Sequence, residues 1–318
     1  MVSESCTNQN DRRRRMKYLA IDNGGTFIKY AVMDESGNIL EKGKEPTPDH
    51  KKTAEDYFHV LDQIVLPRKQ EIEGIAFSTP GQVDVLTGFL HTAGGLVYLM
   101  GLNLCEEIEK RYHLPSSVDN DAKCAAMAEQ WNGSLKGVKN GAVIVLGTGV
   151  GMGIIIDGKL YRGTNYTAGE ISFLNLYIDK PKQSDSYMAV NGSSLALGRT
   201  YAKETGIAPS EIDGHKMFEL INEGDETACR VLRNYVKKLA GSIYNFQTLL
   251  DLEIFAIGGG ISQQPVLLEE IKKEIDYLFE AHPSSAYGMA VKKPKITACE
   301  YYNDSNLRGA LYHFLNRK

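Results

Sequence analysis

The stretch Tyr18-Leu-Ala-Ile-Asp-Asn-Gly-Gly-Thr-Phe-Ile-Lys-Tyr-Ala-Val-Met33 carries a pattern that returns at Ala142-Val-Ile-Val-Leu-Gly-Thr-Gly-Val-Gly-Met-Gly-Ile-Ile-Ile156. In each copy an apolar run ends in a turn of glycines with a threonine, and a second apolar run follows. Gly37-Asn38 then opens a hairpin into a third strand, Ile39–Lys44, and Asp157-Gly158 leads in the same way into Lys159–Tyr161. The order strand, Gly turn, strand, hairpin, strand thus occurs twice, at residues 18–44 and 142–161. Such a duplication implies two similar lobes around a cleft. The length agrees, since 318 residues is long for one compact core.

The remaining signals alternate between helix and strand. Helices are predicted over about Thr53–Pro67, Leu104–Tyr112, Ala122–Trp131, much of Leu195–Leu250, about Pro265–Phe279 and Leu307–Leu315. Ile72–Phe77 reads as a strand that ends in the turn Ser78-Thr79-Pro80-Gly81, and Ile254–Ile257 as a buried strand running into Gly258-Gly259-Gly260.

Bulk properties narrow the function classes. The net charge of −4, with both signs mixed, gives no electrostatic reason to expect nucleic acid as a partner. No apolar run approaches the ~20 residues that cross a bilayer. Five scattered cysteines, none in a Cys-x-x-Cys pair, suit a reducing compartment, so a cytoplasmic location is expected. The polar segment Met1–Arg15 ends in Asp-Arg-Arg-Arg-Arg, lacks the apolar core of a secretory signal, and is expected to be a disordered tail.

Three features carry chemistry. The first is the pair of loops Gly24-Gly25-Thr26 and Gly147-Thr148-Gly149, which offer backbone N–H groups and a hydroxyl to phosphate oxygens. Tight turns need glycine in any case, but the same Gly-plus-Thr chemistry after both buried strands favours phosphate. The second is Asp119-Asn120-Asp121 at the head of a helix. Any of the three can cap that helix, so capping alone does not account for the run. Phosphoryl transfer to an alcohol needs one carboxylate to take the hydroxyl proton, and Asp121 is the candidate. The third is Asp22, which precedes the first glycine pair and is placed to hold Mg²⁺ through water. The triplet Gly258-Gly259-Gly260 permits a ring or ribose to approach the backbone, and Glu170, after a flexible turn, is a candidate acceptor for sugar hydroxyls. The seven histidines show no metal-ligand spacing.

Four ordered motifs, Asp22-Asn-Gly-Gly-Thr-Phe-Ile-Lys29, Val118-Asp-Asn-Asp-Ala122, Leu146-Gly-Thr-Gly-Val-Gly151 and Ala168-Gly-Glu-Ile171, together resemble the ROK family of repressors, open reading frames and sugar kinases. The resemblance extends through Ile257-Gly-Gly-Gly-Ile-Ser262 and Leu307-Arg-Gly-Ala-Leu311, covering essentially everything after Met16. It implies an α/β fold of two ribonuclease-H-like lobes, as in actin-like ATPases. Residues 16–120 with the C-terminal helix (about 300–318) would form the small lobe and residues 121–299 the large one. By the same resemblance Asp121 is the catalytic base, and Asn120, Glu170 and Gly81 lie on the sugar side. Gly24, Gly25, Thr26, Gly147, Thr148 and Gly149 take the phosphates, and Gly258, Gly259 and Gly260 the nucleoside. ATP and Mg²⁺ are implied; members of the family are often dimers, which makes a homodimer an option that the sequence itself does not decide.

The chain also departs from the pattern. Where many relatives have Gly-Glu-Ile-Gly-His, whose His binds sugar and ligates zinc, this chain has Gly169-Glu-Ile-Ser-Phe173. No cysteine cluster follows, Ser186 or Tyr187 occupies the place of a further sugar-binding Glu, and no zinc is expected. Losing those groups weakens the demand for a free hydroxyl at carbon 1, and an apolar wall tolerates a substituent there. The expectation is an ATP-dependent kinase acting on the 6-hydroxyl of a β-glucoside or glucose, most similar to the β-glucoside kinases of the family. The alternatives are an N-acetylmannosamine or other hexose kinase and, from another class, a sugar-responsive transcriptional regulator. The second needs a DNA-binding domain for which Met1–Arg15 is too short. Asn23, where an apolar residue is usual, has no account at this level.

Overall fold

The computed structural model describes residues 16–288 and 290–317. The tail expected at 1–15 lies outside the described residues. In the first half run β1 (Lys17–Asn23), β2 (Phe27–Asp34), β3 (Ile39–Pro46), α1 (Ala54–Val65), β4 (Ile75–Thr79), β5 (Val83–Asp84), β6 (Phe89–Leu90), α2 (Leu104–Tyr112), β7 (Ser116–Asn120) and α3 (Asp121–Asn132). The second half holds β8 (Gly141–Leu146), β9 (Val150–Ile156), β10 (Lys159–Tyr161), α4 (Met188–Asn191), α5 (Ser194–Thr205), α6 (Gly214–Glu223), α7 (Glu226–Leu250), β11 (Ile254–Gly258), α8 (Pro265–Ala281), β12 (Lys295–Ala298) and α9 (Ser305–Asn316).

The two large sheets have one topology. The first is ordered β3-β2-β1-β4-β7 and the second β10-β9-β8-β11-β12. In each, three antiparallel strands are extended by two parallel ones, as β1 pairs with β4 and β8 with β11. The duplication read from the sequence is therefore a duplication of the sheet. Two boundaries differ from the sequence reading. β4 starts at Ile75 rather than Ile72, and it continues through Ser78 and Thr79, which composition had marked as a turn. Parallel pairing of Ser78 with Asp22 and Asp119 holds those polar residues in the ladder.

Apolar faces explain the layers. The second sheet packs Ile144, Met152, Phe255 and Ile257 against α5, α7 and α8, through Leu197, Leu239 and Ile271 among others. On the first sheet Ile21, Phe77 and Val118 meet Leu61 and Ile64 of α1 and Ile108 of α2. Its opposite face, with Ala20, Ala31 and Ala76, receives α9 through Leu307, Ala310, Leu311 and Phe314. Helix α3 touches both halves, since Cys124 and Met127 join that cluster while Ala125 and Ala126 pack on Val143 and Ile155. Glu129 of α3 is fully buried, and its carboxylate accepts from the backbone N–H groups of Ser134, Glu300 and Tyr301. Among the described residues no helix is long and apolar enough to cross a membrane.

Candidate active site

The two sheets direct their glycine loops into one cleft of about 1160 Å³. It is lined by Asp22 of β1 and Gly24, Gly25 and Thr26 after it, by Gly147, Thr148 and Gly149 after β8, and by Gly258 ending β11 with Gly259 and Gly260 beyond. Asn120 and Asp121, at the junction of β7 and α3, reach the same space, as do Gly81 and Glu170. The glycine loops, Asp22, Asn120, Asp121, Gly81 and Glu170 therefore line a single cavity, whereas Asp119, Ser186 and Tyr187 do not.

Side-chain clamps hold the loops open. Thr47 on the strand side donates from its hydroxyl to the Gly24 carbonyl (2.7 Å), and its N–H donates to the Thr26 carbonyl (3.1 Å). Ser194, opening α5, donates twice to the Gly147 carbonyl, from its N–H and its hydroxyl (both 2.8 Å). At Gly25 and Gly149 an added Cβ would meet nothing within 4 Å, so both positions face open space. Gly259 is different in kind. Its φ of +92° and a Cβ position 2.3 Å from the Leu146 carbonyl make a side chain there untenable.

Asn120, not Asp121, is the N-cap of α3, its Oδ1 accepting from the Lys123 N–H at 3.2 Å. Its Nδ2 donates to the Gly81 carbonyl at 3.0 Å, which ties the cap to the turn after β4. Asp121 is thus released from capping and stands as the first helical residue. Burial pushes its pKa up to about 7, the charges of Asp22 and Glu170 push the same way, and the Ala122 N–H and Lys123 oppose them. A carboxyl poised near neutrality in a cleft is suited to accept and release a proton.

Asp22 is also buried, and burial raises its pKa against the opposing influence of Lys29, Asn306 and Ser78. Its Oδ1 accepts from Ser78 Oγ (2.9 Å) and Asn306 Nδ2 (3.0 Å), while Oδ2 faces Lys29 Nζ at 3.9 Å. One carboxylate oxygen thus remains available beside the first glycine loop, an environment that a hard divalent cation holding its own waters fits. Among the described residues no group of three or more His, Cys, Asp or Glu side chains is arranged to hold a metal ion.

Several participants were not legible in the sequence. Lys123 is 1% exposed and pairs with Glu170 Oε1 at 3.3 Å, placing a buried cation between two acids of the site. Asn306 comes from α9, 284 residues from its partner Asp22. Asn23, unexplained above, accepts from the buried Tyr57 hydroxyl at 3.0 Å and so anchors β1 to α1. Ser186 and Tyr187 donate to the Lys180 and Pro181 carbonyls. Phe173, by contrast, is 78% exposed and lines the cleft together with Val97 and Met100, which are also exposed.

Lys123 lends itself to a direct test. Replacing it by Met keeps the volume but removes the charge that lowers the Asp121 pKa. The acid limb of the kcat/KM profile is expected to move to higher pH by up to ~1 unit, with folding retained. An unmoved limb would show that Lys123 does not act on Asp121.

This arrangement, two ribonuclease-H-like lobes with a glycine loop from each meeting at an aspartate in the cleft, is that of the actin-like ATPases. The sequence profile of the ROK family matches residues 18–317, and the chain belongs to that family. It is 30% identical over 308 residues to the β-glucoside kinase of Listeria innocua, covering 95% of this chain and 99% of the relative. A ROK family protein from Streptococcus pneumoniae TIGR4, solved in complex with sucrose, superposes with a TM-score of 0.81 at 30% identity, over 94% of this chain and 98% of that one. A ROK family glucokinase from Streptomyces griseus, in complex with glucose and AMPPNP, gives 0.80 at 26% identity, over 93% and 98% of the two chains.

Proposed function

We propose that this protein is an ATP-dependent sugar kinase that phosphorylates the 6-hydroxyl of a hexose and favours a β-glucoside over free glucose. The observation that carries the reading is Asp121, a carboxyl held near neutrality in the cleft where the two glycine loops meet. Kinase relatives over nearly the full length, and the AMPPNP and sugar complexes of similar chains, support ATP and a sugar as its small-molecule partners. The division of the chain that fits this reading is 16–120 with about 300–318 against 121–299, since α9 packs on the first sheet.

In the reaction, Asp121 accepts the proton of the sugar hydroxyl as its oxygen bonds to the γ-phosphorus and the bond to the β,γ-bridging oxygen breaks, releasing ADP. Asn120, fixed by Gly81 and by its capping bond, and Glu170, fixed by Lys123, orient the sugar. The loops at Gly24–Thr26 and Gly147–Gly149 receive phosphate oxygens, and the Gly258–Gly260 turn carries the nucleoside. Asp22 would hold Mg²⁺ through water, and the ion supplies charge neutralisation on the transferring phosphate. We assign no zinc to the site.

The preference for a glucoside rests on Phe173, Val97 and Met100, an exposed apolar wall with no evident use for a sugar alone. Turnover is expected on cellobiose and aryl β-glucosides at higher kcat/KM than on glucose. Phe173→Ala should cost the glucosides about tenfold, worth ~1.4 kcal/mol, and glucose little. Preference for glucose or N-acetylmannosamine in the wild type would overturn the acceptor assignment while keeping the kinase.

A further inference from the structure

A second cavity of about 640 Å³ shares no lining residue with the cleft. Three of its walls carry cations, Lys159, Arg162 and Arg317, and none carries an Asp or Glu. Three polar atoms on these walls are buried without any hydrogen-bond partner: Arg162 Nε, His313 Nε2 and Ser117 Oγ. The His313 side chain is 10% exposed and Ser117 is 5% exposed. Buried polar groups are nearly always satisfied, so three orphans within the side chains that line one cavity, each a small rotation from it, mark a place for a ligand with several acceptor oxygens. Behind the wall, buried Asp119 takes up one guanidinium nitrogen of Arg162, its Nη2. That pairing leaves the guanidinium fixed in orientation with Nε still to be used.

We propose that this cavity binds a small organic phosphate monoester. The anion would draw on Arg162, Lys159, Arg317 and the two orphan groups of His313 and Ser117, a donor set of the kind that recognises phosphate. Val85, Leu86 and Leu160 line the same space and offer an apolar wall to an organic substituent, which inorganic phosphate lacks. The volume lies within the range of small-molecule sites.

The position connects it to the first cleft. Strand β7 runs from Ser116 and Ser117 in this cavity to Asn120 at the cleft, and α3 runs from Asp121 at the cleft to Met127 and Gln130 here. The cavity also spans both halves of the fold, between α9 and the β9–β10 hairpin. An occupant would therefore bear on the relative position of the two sheets.

Calorimetric titration of the full chain with phenyl phosphate and with inorganic phosphate tests the assignment, with the cleft saturated by Mg²⁺ and AMPPNP to block its phosphate loops. Phenyl phosphate is expected to bind with a 1:1 stoichiometry, about tenfold more tightly than inorganic phosphate. Lys159→Glu changes an exposed residue, and Arg162→Lys keeps the charge opposite Asp119 while removing Nε. Each should weaken binding at least tenfold. No binding at millimolar phenyl phosphate, or wild-type affinity in both variants, overturns the site. Saturating phenyl phosphate should also change kcat or KM for the sugar at least twofold in the wild type but not in Lys159→Glu. This last readout rests on the kinase reading, whereas the titration does not, and an unchanged rate would overturn an effector role.

Discussion

Asp121→Asn is expected to lower kcat by roughly 10²–10⁴ and, above pH 7, to make the folded protein more stable than the wild type. The loss of rate follows from removing the proposed proton acceptor while keeping the shape of the side chain. The gain in stability follows from the sign of the pKa shift. Burial raises the folded-state pKa of Asp121 to about 7 from its ordinary value of 3.8. Between those values the folded protein holds a proton that the unfolded chain has lost. Stability therefore falls as pH rises through this window, and the full penalty is present above pH 7. A shift of this size corresponds to on the order of 4 kcal/mol, which the amide does not incur. The melting temperature of the variant should exceed that of the wild type by several degrees at pH 8 and converge with it near pH 4. In the wild type, kcat/KM should rise with unit slope to a plateau, its acid limb near pH 7 rather than near 4. Wild-type turnover in the variant would remove Asp121 from the mechanism. A lower melting point at pH 8 would mean that its charge is compensated in the fold.

The residues that were legible in the sequence are those whose job is local. A glycine pair after an apolar run, or Asp119-Asn-Asp121 before a helical pattern, is read from neighbours a few positions away, and the glycine loops, Asn120 and Asp121 lie in the cleft. The doubled sheet was legible for the same reason, because hairpins announce themselves in their turns. Lys123 was not, since a lysine in a helix reads as a solvated side chain until Glu170, 47 residues on, is brought against it. Nor was Asn306, whose partner lies at the other end of the chain. Strand β12, Lys295–Ala298, was missed because it is short, follows a proline and has no strong alternation. It exists because the edge of β11 is there to pair with it. The orphaned groups of the second cavity belong to β7, β10's flank and α9, and no spacing rule joins Ser117, Arg162 and His313.

Gly309→Ala is expected to destabilise the protein by about 2–4 kcal/mol, against the usual effect of that change in a helix. Alanine in place of a helical glycine normally adds ~1 kcal/mol of stability by restricting the unfolded chain. At Gly309 a Cβ would lie 1.7 Å from the Cys124 carbonyl oxygen and 2.7 Å from the Cys124 Cα. Backbone, not a flexible side chain, occupies the space, so α9 must move away from α3. Cys124 lies one turn beyond Asp121 on α3, and Asn306 lies one turn before Gly309 on α9, where it holds Asp22. Separation of the two helices therefore disturbs Asp22 and Asp121, and kcat should fall in protein that remains folded. Gly241→Ala, in the middle of α7, supplies the contrast, because a Cβ there meets nothing within 4 Å. That variant should gain up to ~1 kcal/mol and keep full activity. Equal melting temperatures for the two variants would show that the α3–α9 crossing has room to spare. The connection between the C-terminal helix and the two cleft aspartates would then have to run through Asn306 alone.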